Sequence, residues 1–231
     1  MRATPDVLQN LAARIREIEA SAGASSRGDF AAPLPLLDVL LKPAMLGAGS
    51  LVELLSETDG AGAWTLALFW ARHACVERGT LVLVDARGWF YPPAALALGI
   101  DLEQVVLVRP TSRPDCQAAL DQSLRCAAVG AVVGWCDRLT AAEAQRLKLA
   151  AEAGGGLGLI LRPFGAARGP SFADLRLRVT PLVSCEAVRH VRMEVVRWRS
   201  GKEGASLVVE IDDETGHVRV PAGLASTAAR A

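Results

Sequence analysis

The sequence predicts an α/β protein. A mainly parallel β-sheet is flanked by helices and extended at its C-terminal side by an antiparallel meander. Two observations carry this prediction. Between residues 50 and 161, short apolar runs rich in Val, Leu and Ile alternate with helical stretches, the pattern of strands buried on both faces and joined by right-handed crossovers. After Phe164 the helices stop, and runs at 174–180, 187–199, 205–212 and 217–220 follow one another directly, as hairpin-linked strands do.

In chain order, residues 5–20 read as an amphipathic helix, with Leu11, Ile15 and Ile18 on one stripe and Arg14, Arg16 and Glu17 opposite. The small and polar stretch SAGASSRGDFAAP separates it from the rest. Residues 34–45 hold a short helical turn between prolines. Strands are expected at 50–55, 80–85, 104–108, 130–135 and 157–161, and helices at 63–77, 92–98, 114–126 and 140–153. PFGAARGPSFA reads as a loop, and DDETG as a hairpin turn. The expected organisation is an N-terminal helix and linker over 1–30, a core over 31–222 and a frayed tail over 223–231.

Half of the 231 residues are hydrophobic, enough for a sizeable core, and the formal net charge is zero. A whole-protein basic field for nucleic acid is excluded; a local patch is not. No apolar run approaches the roughly 18–20 residues of a membrane span, and the N-terminus has no apolar signal region. A cytoplasmic protein is expected. The five cysteines lie at no CxxC spacing and read as buried small hydrophobes; the three histidines are scattered, so no metal site is expected.

The informative stretch is 51–85, which reads strand, Gly-rich loop, helix, strand. A phosphate-binding loop of the pattern GxxxxGK[ST] needs glycines for converging N–H groups, a lysine for the outer phosphates and a hydroxyl for magnesium. Here Gly60 and Gly62 supply glycines, but Ala63 stands at the lysine position and Trp64 at the hydroxyl position, followed by Thr65. Glu57 and Asp59 add negative charge where phosphates would lie. One lost ion-pair contact at ~4 Å and an effective dielectric of ~20 is worth roughly 4 kcal/mol before desolvation. Trp64 is expected to fill the volume that phosphate would need. Past the second strand, where a carboxylate would orient water, the sequence offers Asp85 and then Arg87, and Asp85 is expected to hold the strand end by hydrogen bonds. Asp137, after a later strand, stands where a magnesium aspartate would; its other reading is a cap for the next helix. No cofactor is expected.

These pieces, in this order, resemble the core of the RecA recombinase family. GSLVEL resembles its strand into the phosphate loop. GTLVLVDARGWFYPPAALALGIDLEQVVLVRP is similar to its next strand, helix and strand. ADLRLRV and VRMEVVRWRSGKEG are similar to its later strands. The resemblance implies a RecA-like core. It also puts Ala63, Trp64 and Arg87 on the family's lysine, threonine and catalytic glutamate, and shortens its two DNA-binding loops. A narrower resemblance runs over 116–163, where ALDQSLRC, GAVVGW and RLKLAAEAGGGLGLILRP are similar to the ImuA family, with some likeness to the SulA cell-division inhibitors. It implies an accessory protein of mutagenic translesion DNA synthesis in the SOS response. The implied partners are an ImuB-like polymerase protein and an error-prone DNA polymerase, with RecA as a further candidate.

Four surfaces are candidates for binding. Two are for partners: the Leu11, Ile15, Ile18 stripe, and Trp89, Phe90 and Tyr91, which cannot all face inward. Two are for DNA: the loop with Arg162, Phe164 and Arg168, where an aromatic and guanidinium groups suit stacking and phosphate contact, and the meander with Arg189, Arg192, Arg197, Arg199 and Lys202. Each also has a plain structural reading, as a helix packed on its own domain, a cover over the core, a connecting loop and a solvated face. Other outcomes left open are a DNA-stimulated ATPase or recombinase, borrowing one of the chain's lysines (Lys42, Lys148, Lys202), and a SulA-like inhibitor.

Overall fold

The computed structural model describes residues 13–14, 36–41, 46, 48–183, 188–199 and 203–221. Residues 13–14 are helical; the Leu11, Ile15 and Ile18 stripe, the linker, Lys42, Lys202 and the tail lie outside the described residues. The expected α/β architecture is the one observed. After the short helix α1 (Leu37–Leu40), the order is β1 (Leu51–Ser56), α2 (Ala63–Arg78), β2 (Thr80–Val84), α3 (Pro92–Ala97), β3 (Val105–Val108), α4 (Arg113–Arg125), β4 (Val129–Trp135), α5 (Ala141–Gly154) and β5 (Leu157–Pro163). The strands β6 (Leu175–Pro181), β7 (Val188–Trp198), β8 (Ser206–Asp212) and β9 (Val218–Arg219) follow.

All nine strands join one sheet in the order β3-β2-β4-β5-β1-β6-β7-β8-β9. It is parallel from β3 to β6 and antiparallel from β6 to β9. β1 lies between β5 and β6, so the loop leaving β1 sits mid-sheet at the carboxyl ends of the parallel strands. That is where ligands bind in open α/β sheets.

Alternation along the strands sorts the core into two layers. Val52, Leu54, Leu81, Leu83 and Val133 face α2, α3 and the meander, with Trp70 of α2 fully buried among them. Leu51, Val82, Val84 and Val132 face α4 and α5. The α4–α5 layer is close-packed: a Cβ at Gly154 would lie 2.0 Å from the Leu124 carbonyl oxygen.

Helix starts follow local chemistry. Ser112 caps α4, and Thr140 with Glu143 forms a capping box on α5. The cap reading of Asp137 is therefore corrected: Thr140 does that work, because its hydroxyl lies three residues before the Glu143 N–H that it accepts. The expected loop after β5 contains a short 3₁₀ turn, Phe164–Arg168.

One feature of the centre has no counterpart in the sequence reading. Glu53, on β1, is 1 % exposed and accepts from Arg162 of β5 at 3.1 Å, Arg176 of β6 at 2.8 Å and Ser171 at 2.9 Å. Arg176 also donates to the carbonyls of Ala166 and Ala167 at 2.9 and 2.8 Å, and Arg162 to that of Pro170 at 3.3 Å. The triad thereby staples the 164–171 segment onto the sheet.

Candidate functional site

The loop from β1 to α2 turns on two glycines with positive φ, Gly60 at 78° and Gly62 at 90°. Gly62 is the residue before α2, and no side chain caps that helix, so its first N–H groups have no side-chain acceptor at the cap. The meander packs onto the loop from the other side. A Cβ on Gly62 would meet Val191 Cγ2 at 2.9 Å and Ile211 Cδ1 at 3.2 Å. A cleft of about 240 Å³ remains, lined by the loop, Trp64, Thr65, Trp89, Trp135 and Arg189. Trp64 is half-buried and packs against the core, forming one wall. The expectation that it fills the space is corrected: the indole narrows the cleft, which stays below the about 300–1,000 Å³ of typical small-ligand sites.

Both acidic residues of the loop are paired. Glu57 accepts from Arg178 of β6, and Asp59 accepts from Arg87 at 3.3 Å. Arg87 also reaches Asp137, past the end of β4, at 2.7 Å. Its guanidinium lies over the Trp135 ring at 4.0 Å and the Trp89 ring at 4.6 Å, the two indoles meeting edge to face at 5.6 Å. The Trp135 indole N–H donates to the same Asp137 oxygen at 2.6 Å. The protein's own cation thus occupies the carboxylates that a metal ion would otherwise meet here. Arg189 of β7, read from the sequence only as part of the basic meander, also reaches this loop. It is salt-bridged to Asp213 at 2.5 Å and reaches Thr65 Oγ1 at 3.4 Å and the Gly60 carbonyl at 3.5 Å. Only the fold brings it 129 residues back along the chain to this loop.

Asp85 does hold the end of β2, as expected: its buried carboxylate accepts from the backbone N–H groups of Trp89 at 2.9 Å and Phe90 at 3.0 Å. This turn decides which aromatics face out. Phe90 is 8 % exposed and belongs to the core, whereas Trp89 is 40 % and Tyr91 65 % exposed. The partner candidate is therefore reduced to Trp89 and Tyr91, because Phe90 has no free face to offer.

Among the DNA candidates, Arg162 is 2 % exposed and bound to Glu53, so it cannot reach out to a strand crossing the outer surface. Phe164 is half-buried with Arg178 stacked over its ring at 4.3 Å. Arg168, Arg197 and Arg199 are exposed. Arg197 donates to the Ser171 carbonyl at 3.3 Å, which ties the meander to the 164–171 segment, and Arg199 lies 3.7 Å from Asp174.

The four cysteines among the described residues fit their reading as small hydrophobes; Cys185 lies outside those residues. Cys75, Cys116, Cys126 and Cys136 are buried. Burial pushes the thiols of Cys75 and Cys136 up to about 12 and that of Cys116 up to about 11, leaving them protonated and unreactive. Among the described residues, no group of three or more His, Cys, Asp or Glu side chains is placed to hold a metal ion, and no helix is long and apolar enough to cross a membrane.

With this geometry in place, comparison with known proteins adds two similarities. Over 164 residues, 64 % of this chain, it is 28 % identical to Protein ImuA from two strains of Caulobacter vibrioides. The chain is similar to ImuA. A shorter match, 37 % identical over 67 residues or 29 % of the chain, is to the cell division inhibitor SulA of Edwardsiella piscicida. The matched stretches span 66 % of the ImuA proteins and 40 % of the SulA protein. No protein-family model matches the chain.

Proposed function

We propose that the chain is a RecA-like accessory protein of error-prone translesion synthesis in the DNA-damage response, working as a binding module without ATP turnover. The single observation that carries this reading is the Arg87 bridge. The guanidinium contacts Asp137 at 2.7 Å and Asp59 at 3.3 Å, so the carboxylate after β4 already has a cation, beside a β1–α2 connection with Ala63 and Trp64 at the lysine and hydroxyl positions. The similarity to ImuA supports the cellular role. The partners proposed are an ImuB-like polymerase protein and an error-prone polymerase, with RecA as a further candidate. The proposed contact surfaces are Trp89 and Tyr91 and the N-terminal stripe of Leu11, Ile15 and Ile18. Contact of Arg168, Arg197, Arg199 and Lys202 with DNA phosphates is a separate proposal on the same frame.

The recombinase-like alternative needs a lysine near the loop. Lys148 cannot supply it, since it is buried and bound to Asp174 at 2.6 Å and the Gly49 carbonyl at 3.1 Å. A second reading, inhibition of the cell-division GTPase, rests on the SulA match. Affinity capture of the tagged chain from cells after DNA damage separates the two. Recovery of polymerase subunits, reduced in a Trp89→Ala/Tyr91→Ala variant, is the expected result; recovery of the division GTPase in their place would replace this reading with the second.

A further inference from the structure

The two edges of the sheet are unequal. At one edge β9 is two residues long and carries Arg219, a short and charged edge of the kind that resists further pairing. At the other edge β3 is an apolar run, Val105–Val108, with no charge, proline or bulge. Among the described residues it pairs only with β2. Its outer backbone groups are a template for another strand. Leu107, in this run, is exposed. It lies on the same face as Val105, which packs on the cluster that holds Ala95 and Leu98 of α3, and Leu96 of that helix is exposed as well.

Which groups point outward follows from the ladder. The Asp85 N–H donates to the Val108 carbonyl at 2.8 Å, so Val108 and, two residues earlier, Val106 turn their N–H and C=O toward β2. Val105, Leu107 and Arg109 turn theirs away. The Val105 N–H is engaged in the preceding turn, on the Leu102 carbonyl. From there to the Arg109 N–H, the outward groups left are the carbonyls of Val105 and Leu107 and the N–H groups of Leu107 and Arg109. This set is symmetric about Leu107. An antiparallel copy centred on that residue gives every donor an acceptor: Leu107 N–H to the Leu107 carbonyl and Arg109 N–H to the Val105 carbonyl, each in both directions. The ends match as well. Asp101 and Glu103 are exposed before the strand and Arg109 after it. Arg109 keeps its Nε 3.8 Å from Asp85 and has no other ion pair among the described residues. Antiparallel alignment sets the acidic end of each copy against the basic end of the other, within the diagonal reach of long side chains. Parallel alignment would set like charges together.

We propose that two copies of this chain pair antiparallel through β3, about a two-fold axis at Leu107, and so join their sheets into one. The interface is isologous, so it closes at two copies and covers the open edge of both. It buries Leu107 against its own copy. The pairing does not rest on the translesion role: its failure would leave that role standing, and the reverse.

The test is sedimentation equilibrium of the full chain over a wide range of micromolar concentrations. A monomer–dimer equilibrium without larger species is expected. Leu107→Lys sets two ammonium groups against each other at the axis and is expected to weaken pairing by at least about ten-fold. Glu103→Arg and Arg109→Glu each bring like charges together at both ends and are expected to weaken it by about ten-fold. Mixed one to one, these two variants restore opposite charges at both ends, and recovery of a heterodimer is expected. Circular dichroism checks that each variant folds. If Arg109→Glu unfolds beside Asp85, Leu107→Lys and Glu103→Arg still decide, since both side chains are exposed. A monomer at every concentration, growth into larger assemblies, undiminished pairing of Leu107→Lys or Glu103→Arg, or no recovery in a mixture of folded variants would overturn the proposal.

Discussion

The Arg87 guanidinium sits 2.7 Å from Asp137 and 4.0 Å above the ring of Trp135. One side chain thus ties the loop after β2 to the end of β4 and, through Asp59, to the loop after β1. Three strand ends that would cooperate around a nucleotide are held together by a cation that cannot be deprotonated. Arg87→Gln removes the charge and keeps the length. Because both carboxylates are well exposed, the expected loss of stability is only about 1 kcal/mol. Two indoles lose their stacked cation, so tryptophan emission is expected to shift while far-ultraviolet circular dichroism stays unchanged. An unchanged emission spectrum would contradict the stacked geometry.

Glu53→Ala tests the central triad. It leaves two buried guanidinium groups without their carboxylate, and breaking a buried ion pair typically costs about 3–5 kcal/mol. Urea unfolding is expected to show a loss of that order. A variant with apolar residues of matching volume at Glu53, Arg162 and Arg176 is expected to lose less, because no buried charge is left unpaired. It is also expected to gain protease cleavage between 164 and 171, where the staple is gone.

Asp121 sets an acid limit. Burial raises its carboxyl, but hydrogen bonds and charge from Arg146 and Arg125 outweigh that and hold it below the usual range. A depressed folded-state value contributes stability that is full above the unfolded value of about 3.9 and is lost as pH falls through the folded one. The acid limb of a stability–pH profile is therefore expected to flatten in Asp121→Asn between roughly pH 5 and pH 2. Arg146 reaches it across the α4–α5 interface at 2.8 Å, so Arg146→Ala is expected to give part of that flattening, Arg125 holding the rest.

Gly62→Ala combines two penalties. A φ of 90° is unfavourable for an L-residue, by about 1–2 kcal/mol, and the new methyl would meet Val191 at 2.9 Å. A lowered melting temperature is expected. Gly60→Ala has the same sign of φ, but a Cβ there meets nothing within 4 Å, so it is expected to cost less.

Much of this fold was legible in the chain because strand burial and helix capping are local. The run at 80–85 is β2 at Thr80–Val84, and the helix at 63–77 is α2 at Ala63–Arg78. Strand order was not legible: β1 pairs with strands more than a hundred residues away. The same distance hid the Glu53 triad. Its members sit in short runs whose alternation reads as plain core, and their partners are 109 and 123 residues distant. That Ala63 and Trp64 are neither Lys nor Ser/Thr could be read from residue identity alone. That Arg87 would meet Asp137 could not, since it depends on β2 and β4 lying side by side.

The central claim is that this nucleotide-site frame does no ATP chemistry. The most direct measurement is ATP turnover by the purified full chain with magnesium, with and without single-stranded DNA. No turnover above the protein-free blank is predicted under either condition. DNA-stimulated turnover that disappears in Asp137→Ala would contradict the account.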